Sequence, residues 1–151
     1  MNKYLKNEEA TIHLAEHFYN ALPENKSGWT ILLNGELGAG KSTFARSFIK
    51  SAGHIGPVPS PTYTLVEPYD LPAIFIYHID LYRVMDPEEL EYLGWSDLEH
   101  GLRIVEWPDR APNLISKADI NLELLYEGSS RRVLIKGLND RGSSLIKNIK
   151  F

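Results

Sequence analysis

The chain has 151 residues, 43% hydrophobic and 24% charged, with a formal net charge of −4, a balance that suits one domain burying about two-thirds of its unfolded surface. With no cysteine it has no disulfides, thiolate metal sites or cysteine nucleophiles. No apolar run approaches the roughly 20 residues of a membrane span, the opening MNKYLKNEEATIHL lacks the apolar core of a signal peptide, and no broad basic face is evident; the expectation is a cytoplasmic protein that reaches any nucleic acid through a partner.

Residues 7–22 place Ile12, Leu14, Ala15, Phe18 and Leu22 near one helical face, with Asn7 as cap and acids in the first turn. After a polar turn, Trp29 to Leu33 reads as a buried strand. It runs into Gly35-Glu36-Leu37-Gly38-Ala39-Gly40-Lys41-Ser42, which fits G-x-x-x-x-G-K-[ST]. Thr43 to about Ala52 continues as a helix with apolar residues at 44, 45, 48 and 49, stopped by Gly53 and Gly56. Strand, glycine loop, helix is the context this P-loop motif requires. Glycines let successive backbone N–H groups converge on one anion-sized hollow, and the helix adds its positive end. Lys41 would reach the β- and γ-phosphates, and the Ser42 hydroxyl would sit on Mg²⁺.

Residues 57–62, PVPSPT, form a stiff loop, followed by strands over Tyr63–Pro68 and Ala73–Ile79 joined by Tyr69-Asp70-Leu71-Pro72. Asp86-Pro87-Glu88-Glu89 starts a helix that runs to Leu93. Leu102–Val105 is a short buried strand, and Ile120–Tyr126 with Arg132–Lys136 makes a hairpin across Glu127-Gly128-Ser129-Ser130. The expected fold is a three-layer α/β P-loop NTPase-like domain over residues 1–151, with a mixed central sheet flanked by helices and a peripheral tail after about residue 137.

Mg-nucleotide chemistry needs an acid at the end of a second buried strand. Asp80 follows one such run and Glu106 another, and both stay candidates for the metal. His78, alternating with Asp80 and Tyr82, reads as structural, and Arg83 as a surface residue. Ser60, Thr62 and Thr64 offer hydroxyls in a region that orders around Mg²⁺ and the γ-phosphate in P-loop switch proteins. A GTPase is disfavoured, because Ser116-Lys117-Ala118-Asp119 has the wrong first residue for guanine recognition and precedes its strand. A small-molecule kinase is the runner-up, with Arg131-Arg132 as its only lid candidate. No arginine finger stands out, so turnover alone should be slow.

Together, GELGAGKSTF, SPTYTLVEPYD, HIDLYR, DPEELEYLG and VEWPD resemble the TsaE (formerly YjeE) family, in its order and approximate spacing over most of residues 5–136. The resemblance implies an ATPase needed for the threonylcarbamoyl modification of adenosine 37 in tRNAs reading codons that begin with A. It implies ATP and Mg²⁺ as ligands, with Ser42 and Glu106 holding the metal and Asp80 in a Walker-B-like role nearby. Lys41 and the backbone of Leu37, Gly38, Ala39, Gly40 and Ser42, with Thr43 beyond, would bind the triphosphate; Thr11 and Arg132 would contact the nucleotide. Thr62, His78, Tyr82 and Trp107 fall at motif positions, and Thr62 joins Lys41, Asp80 and Glu106 as a catalytic candidate. The implied partners are TsaD, which transfers the threonylcarbamoyl group, and TsaB, with tRNA met through their complex. Many members carry threonine where this chain has Ser42, a change that keeps the hydroxyl.

Overall fold

The computed structural model describes residues 1–92 and 94–150. Helix α1 (Glu8–Ala21) begins where expected, with the Asn7 side chain accepting the Ala10 N–H at 3.0 Å, a cap of about 1 kcal/mol. Its buried residues are Thr11, Leu14, Ala15 and Phe18. Strand β2 (Thr30–Gly35) leads through the glycine loop into α2 (Lys41–Ser51), which buries Phe44, Ala45, Phe48 and Ile49. Phe18 meets Phe44 edge-on at 5.6 Å between ring centroids, joining the two helices.

Seven strands make one sheet in the order β1-β7-β6-β2-β5-β4-β3. The new strands are β1 (Asn2–Leu5), β3 (Val66–Asp70), β4 (Phe75–Asp80), β5 (Leu102–Glu106), β6 (Ile120–Glu127) and β7 (Ser130–Gly137). The four central strands β6, β2, β5 and β4 are parallel, and β7, β1 and β3 add antiparallel edges. The mixed sheet flanked by helices is the expected architecture.

Alternation along the strands divides the core. Ile31 and Leu33 of β2 face a cluster with Phe18, Phe44, Phe48 and Leu145, whereas Leu32 faces a cluster with Ile79, Val105, Trp95 and Leu114. The first layer is helical. The second is built from short pieces: α3 (Glu89–Tyr92) and 3-10 turns at Trp95–Leu98 and Pro112–Lys117. Among the described residues no helix is long and apolar enough to cross a membrane.

Several boundaries differ from expectation. The strand expected from Tyr63 begins at Val66, because Leu65 adopts a left-handed conformation (φ 69°) and its N–H closes a turn onto the Pro61 carbonyl at 2.7 Å. Tyr69 and Asp70 therefore lie in β3, and the reversal falls at Leu71–Ile74. The helix opened by Asp86 has its cap, with Glu88 N–H on the Asp86 carboxylate at 3.0 Å, but its expected end at Leu93 lies outside the described residues.

The peripheral tail is a correction. Residues Asp140–Asn148 form helix α4, capped by Asn139, which accepts the Gly142 N–H at 2.8 Å. Leu145, Ile146 and Ile149 enter the first core cluster. The buried Asp119 carboxylate ties this helix down, accepting from Arg141 Nε at 2.7 Å, Asn139 at 2.7 Å and the Thr30 N–H at 2.8 Å. The acid of the Ser116-Lys117-Ala118-Asp119 string is thus fully engaged in folding, which removes it as a guanine reader. Strand β1 had no counterpart in the sequence reading; it forms because β7 supplies its hydrogen-bonding partner, with Lys3 opposite Val133.

Candidate functional site

The parallel strands end together, so their last residues meet at one edge of the sheet. Leu33 of β2 is level with Glu106 of β5, and Glu106 is level with Asp80 of β4. The glycine loop leaves β2 at this edge, where ligands bind in open α/β sheets. Gly40 caps α2 with φ +115°, a conformation that only glycine adopts at little cost. A cavity of about 320 Å³ opens beside it, lined by Gly38, Gly40, Lys41, Ser42, Thr62, Asp80, Glu106 and Trp107, among others.

Lys41 is almost fully buried at the start of α2. Its ammonium donates to the Gly35 carbonyl and, at 3.1 Å, to the Glu36 carbonyl, and it lies 3.9 Å from the centre of the Trp107 ring. Burial lowers its pKa, and the negative charges of Glu106, Asp80 and Asp109 oppose that shift. Trp107 takes a left-handed backbone (φ 57°) directly after β5, and its ring also packs on Tyr82 at 5.0 Å.

The two candidate carboxylates have different surroundings. Glu106 accepts from the Ser42 hydroxyl at 3.3 Å and lies 2.6 Å from His78 Nε2. Asp80 accepts the Tyr82 N–H at 2.9 Å and the Thr62 hydroxyl at 3.3 Å. Thr62 also bonds Ser60 at 2.8 Å, so the proline-rich loop is tied to the end of β4. His78, expected to be structural, is thus a direct neighbour of the site through Glu106.

Burial raises the Asp80 pKa above the usual carboxylate range; Glu106 adds to the rise, and the Tyr82 and Thr62 hydrogen bonds oppose it. A raised folded-state pKa gives stability that is present at low pH and lost as pH rises through it. Asp80→Asn is expected to raise the melting temperature of the nucleotide-free protein. The gain should be near zero at about pH 3 and grow toward about pH 8, since only the aspartate acquires a charge. A thermal-denaturation series in pH checks this, and a gain independent of pH would exclude burial of the charge as its cause.

A second cavity of about 230 Å³ adjoins the first across Gly38, Gly40 and Thr43, and includes Thr11 and Arg131. Thr11, buried on α1, lies close enough that a Cβ on Gly40 would meet its methyl at 3.8 Å. Leu37 and Thr43 line the first cavity, and Ala39 the second. The structure brings all of these together with Lys41, Ser42, Asp80, Glu106 and Thr62.

Arg132 is the one predicted site residue that the structure does not bring to these cavities. It pairs with Glu127 at 2.9 Å and Asn2 at 2.8 Å and lines neither cavity. Its neighbour Arg131 instead donates to the Gly38 carbonyl at 3.3 Å. Side chains alternate along a strand, so only one of two adjacent arginines can face the loop. Arg83 packs its guanidinium 4.1 Å from the Tyr63 ring centre and does not line the cavity.

The donor set suits magnesium. A hydroxyl and one or two carboxylates leave most positions of an octahedral ion to water and phosphate oxygens. Among the described residues no cluster of three or more His, Cys, Asp or Glu could cage a metal alone.

Comparison with known proteins agrees with this geometry. The family model described as "Threonylcarbamoyl adenosine biosynthesis protein TsaE" matches residues 5–134. A tRNA threonylcarbamoyladenosine biosynthesis protein TsaE from Haemophilus influenzae is 34% identical over 150 residues, covering 97% of this chain and 95% of the relative. TsaE from Rickettsia felis is 38% identical over 146 residues, covering 94% and 82%. The crystal structure of Bacillus subtilis YdiB superposes with a TM-score of 0.80 at 23% identity, covering 99% of this chain and 93% of that one. The last likeness confirms the P-loop NTPase-like fold.

Proposed function

The chain belongs to the TsaE family, and with it to tRNA threonylcarbamoyladenosine biosynthesis, and from that premise we propose that it is a magnesium-dependent ATPase whose hydrolysis supports turnover of the TsaD–TsaB complex. The observation that carries the reading is the contact of the Ser42 hydroxyl with the Glu106 carboxylate, 3.3 Å apart, beside the loop that presents Lys41. Ser42 and Glu106 would hold Mg²⁺, with Asp80 beside them in a Walker-B-like role. Bound there, the ion would neutralise charge on the phosphate oxygens.

The chain's own groups divide the rest of the work. Backbone N–H groups from Leu37 to Thr43, at the start of α2, would donate to the phosphate oxygens. Lys41 supplies a positive charge in a desolvated place, where it acts more strongly than in water. His78 fixes one Glu106 oxygen and leaves the other facing Ser42. Thr62, held on Asp80, brings the proline-rich loop to the side where the γ-phosphate would lie. The second cavity, with Thr11 and Arg131, has room for the nucleoside.

Among the described residues that line the first cavity there is no arginine. Charge stabilisation by such a group is worth about 10³–10⁵ in rate in related chemistry, so hydrolysis by the protein alone is slow. A partner that supplies or orders the missing group would accelerate it. The negative net charge fits a helper that meets tRNA through TsaD and TsaB in the cytoplasm. A kinase reading has less support, because Arg131 and Arg132 are engaged with the loop and the hairpin instead of forming a free lid.

The test is ATP hydrolysis measured alone and with purified TsaB and TsaD. The expected result is a rise of at least about tenfold with both partners, within the range a supplied catalytic group can give. No rise with active partners would remove the motor role and leave phosphoryl transfer to small acceptors to be screened.

A further inference from the structure

The tip of the β6–β7 hairpin reaches over the crest of the glycine loop. Tyr126 Oη donates to the Leu37 carbonyl at 2.5 Å, and Arg131 Nη2 donates to the Gly38 carbonyl at 3.3 Å. Tyr126 and Arg131 are register partners across the hairpin, and the guanidinium lies 4.1 Å from the tyrosine ring centre. The stacking keeps both groups turned toward the loop.

A trans peptide carries its carbonyl and its N–H on opposite sides. Pinning the Leu37 oxygen to the hairpin therefore turns the Gly38 N–H away from Tyr126. Gly38 borders both cavities, so that donor is available to an anion in the hollow. The fit leaves no space for another residue: a Cβ on Gly38, which has φ +79°, would lie 2.7 Å from Tyr126 Oη. Tyr126 itself is 47% exposed and belongs to neither core cluster, so its hydroxyl does little for the fold.

We propose that Tyr126, braced by Arg131, is a positioning residue that holds the Leu37–Gly38 peptide in its phosphate-binding orientation before nucleotide arrives. The inference rests on the reading of this loop as a nucleotide-phosphate site and assigns it a preorganising element. Without the latch the peptide rotates between orientations, and apparent affinity falls with the competent fraction.

Tyr126→Phe removes the hydroxyl and keeps the ring under Arg131. Calorimetric titration with ADP and with inorganic pyrophosphate is expected to show affinity about fivefold weaker for both, the size of one net hydrogen bond. The Gly38 amide should exchange faster with solvent in the nucleotide-free variant, the melting temperature should be unchanged, and kcat for ATP hydrolysis should stay within about twofold while KM rises. A purely structural tyrosine would shift the melting temperature and leave pyrophosphate binding intact. Equal pyrophosphate affinity and equal Gly38 exchange in the two proteins would overturn the latch while the phosphate reading stands. A wild-type protein that binds neither ligand would overturn the phosphate reading, and the latch with it.

Discussion

Lys41→Ala is expected to lower ATP hydrolysis by about two to three orders of magnitude, the effect of removing one preorganised charge donor from a water-excluded site. The ammonium is buried and desolvated, held by the Gly35 and Glu36 carbonyls and by the face of Trp107. Glu106 and Asp80 oppose the downward pull of burial on its pKa, favouring the cation. Phosphate release with TsaB and TsaD present, and the threonylcarbamoyladenosine content of tRNA, are the measurements. Hydrolysis within about threefold of wild type, below the loss expected for such a donor, would remove Lys41 from the phosphate site.

Asp119→Ala is expected to have the largest effect on stability. Its carboxylate is buried and satisfies the Thr30 N–H, the Asn139 amide and the Arg141 guanidinium at once. Truncation strands the Thr30 donor in the core and frees the start of α4, at about 1–3 kcal/mol for the unpaired donor alone. Arg141 is about half exposed, so its ion pair adds only about 0–1 kcal/mol. The sum is about 3 kcal/mol, a large part of a total of about 5–15 kcal/mol. For a domain of this size it corresponds to a drop of roughly 10 °C in melting temperature. Calorimetry checks it. A drop under about 2 °C would show that α4 is held by Leu145, Ile146 and Ile149 without the acid.

These two residues mark different degrees of legibility. Lys41 can be read from the chain because a P-loop is local: its glycines, lysine and hydroxyl lie within eight positions, and the strand before and helix after follow from apolar periodicity. Asp119 reads as a failed nucleotide motif because its partners are Thr30, Asn139 and Arg141, remote in sequence on one side and in an unrecognised helix on the other. Helix α4 escaped because DRGSSLIKN has few apolar residues and a glycine. It folds against a surface that only the assembled sheet provides. That glycine abuts the Asp119 backbone, where a Cβ would come within 2.0 Å of the carbonyl.

The candidate site divides in the same way. Asp80 and Glu106 are visible as acids at strand ends, but their separation from each other and from Ser42 depends on β4, β5 and β2 lying side by side in register. That order cannot be inferred from three similar apolar runs. Arg131 and Arg132 differ by one residue, so a one-residue change in strand phase decides which faces the loop. His78 stands out only as a motif position and Tyr126 not at all, until the parallel sheet sets one against Glu106 and the hairpin sets the other over Leu37.

The sequence by itself determined the P-loop motif, its flanking strand and helix, the mixed α/β class and the resemblance to one family, because each is written in local spacing or in motifs held in order. Tertiary structure alone decided which carboxylate meets Ser42, which arginine meets the loop, that helix Asp140–Asn148 packs on the core, and that Asn2–Leu5 joins the sheet. The physical reason is that these outcomes depend on strand order and register, which arise from packing between segments distant in the chain and leave no periodic trace within any one of them.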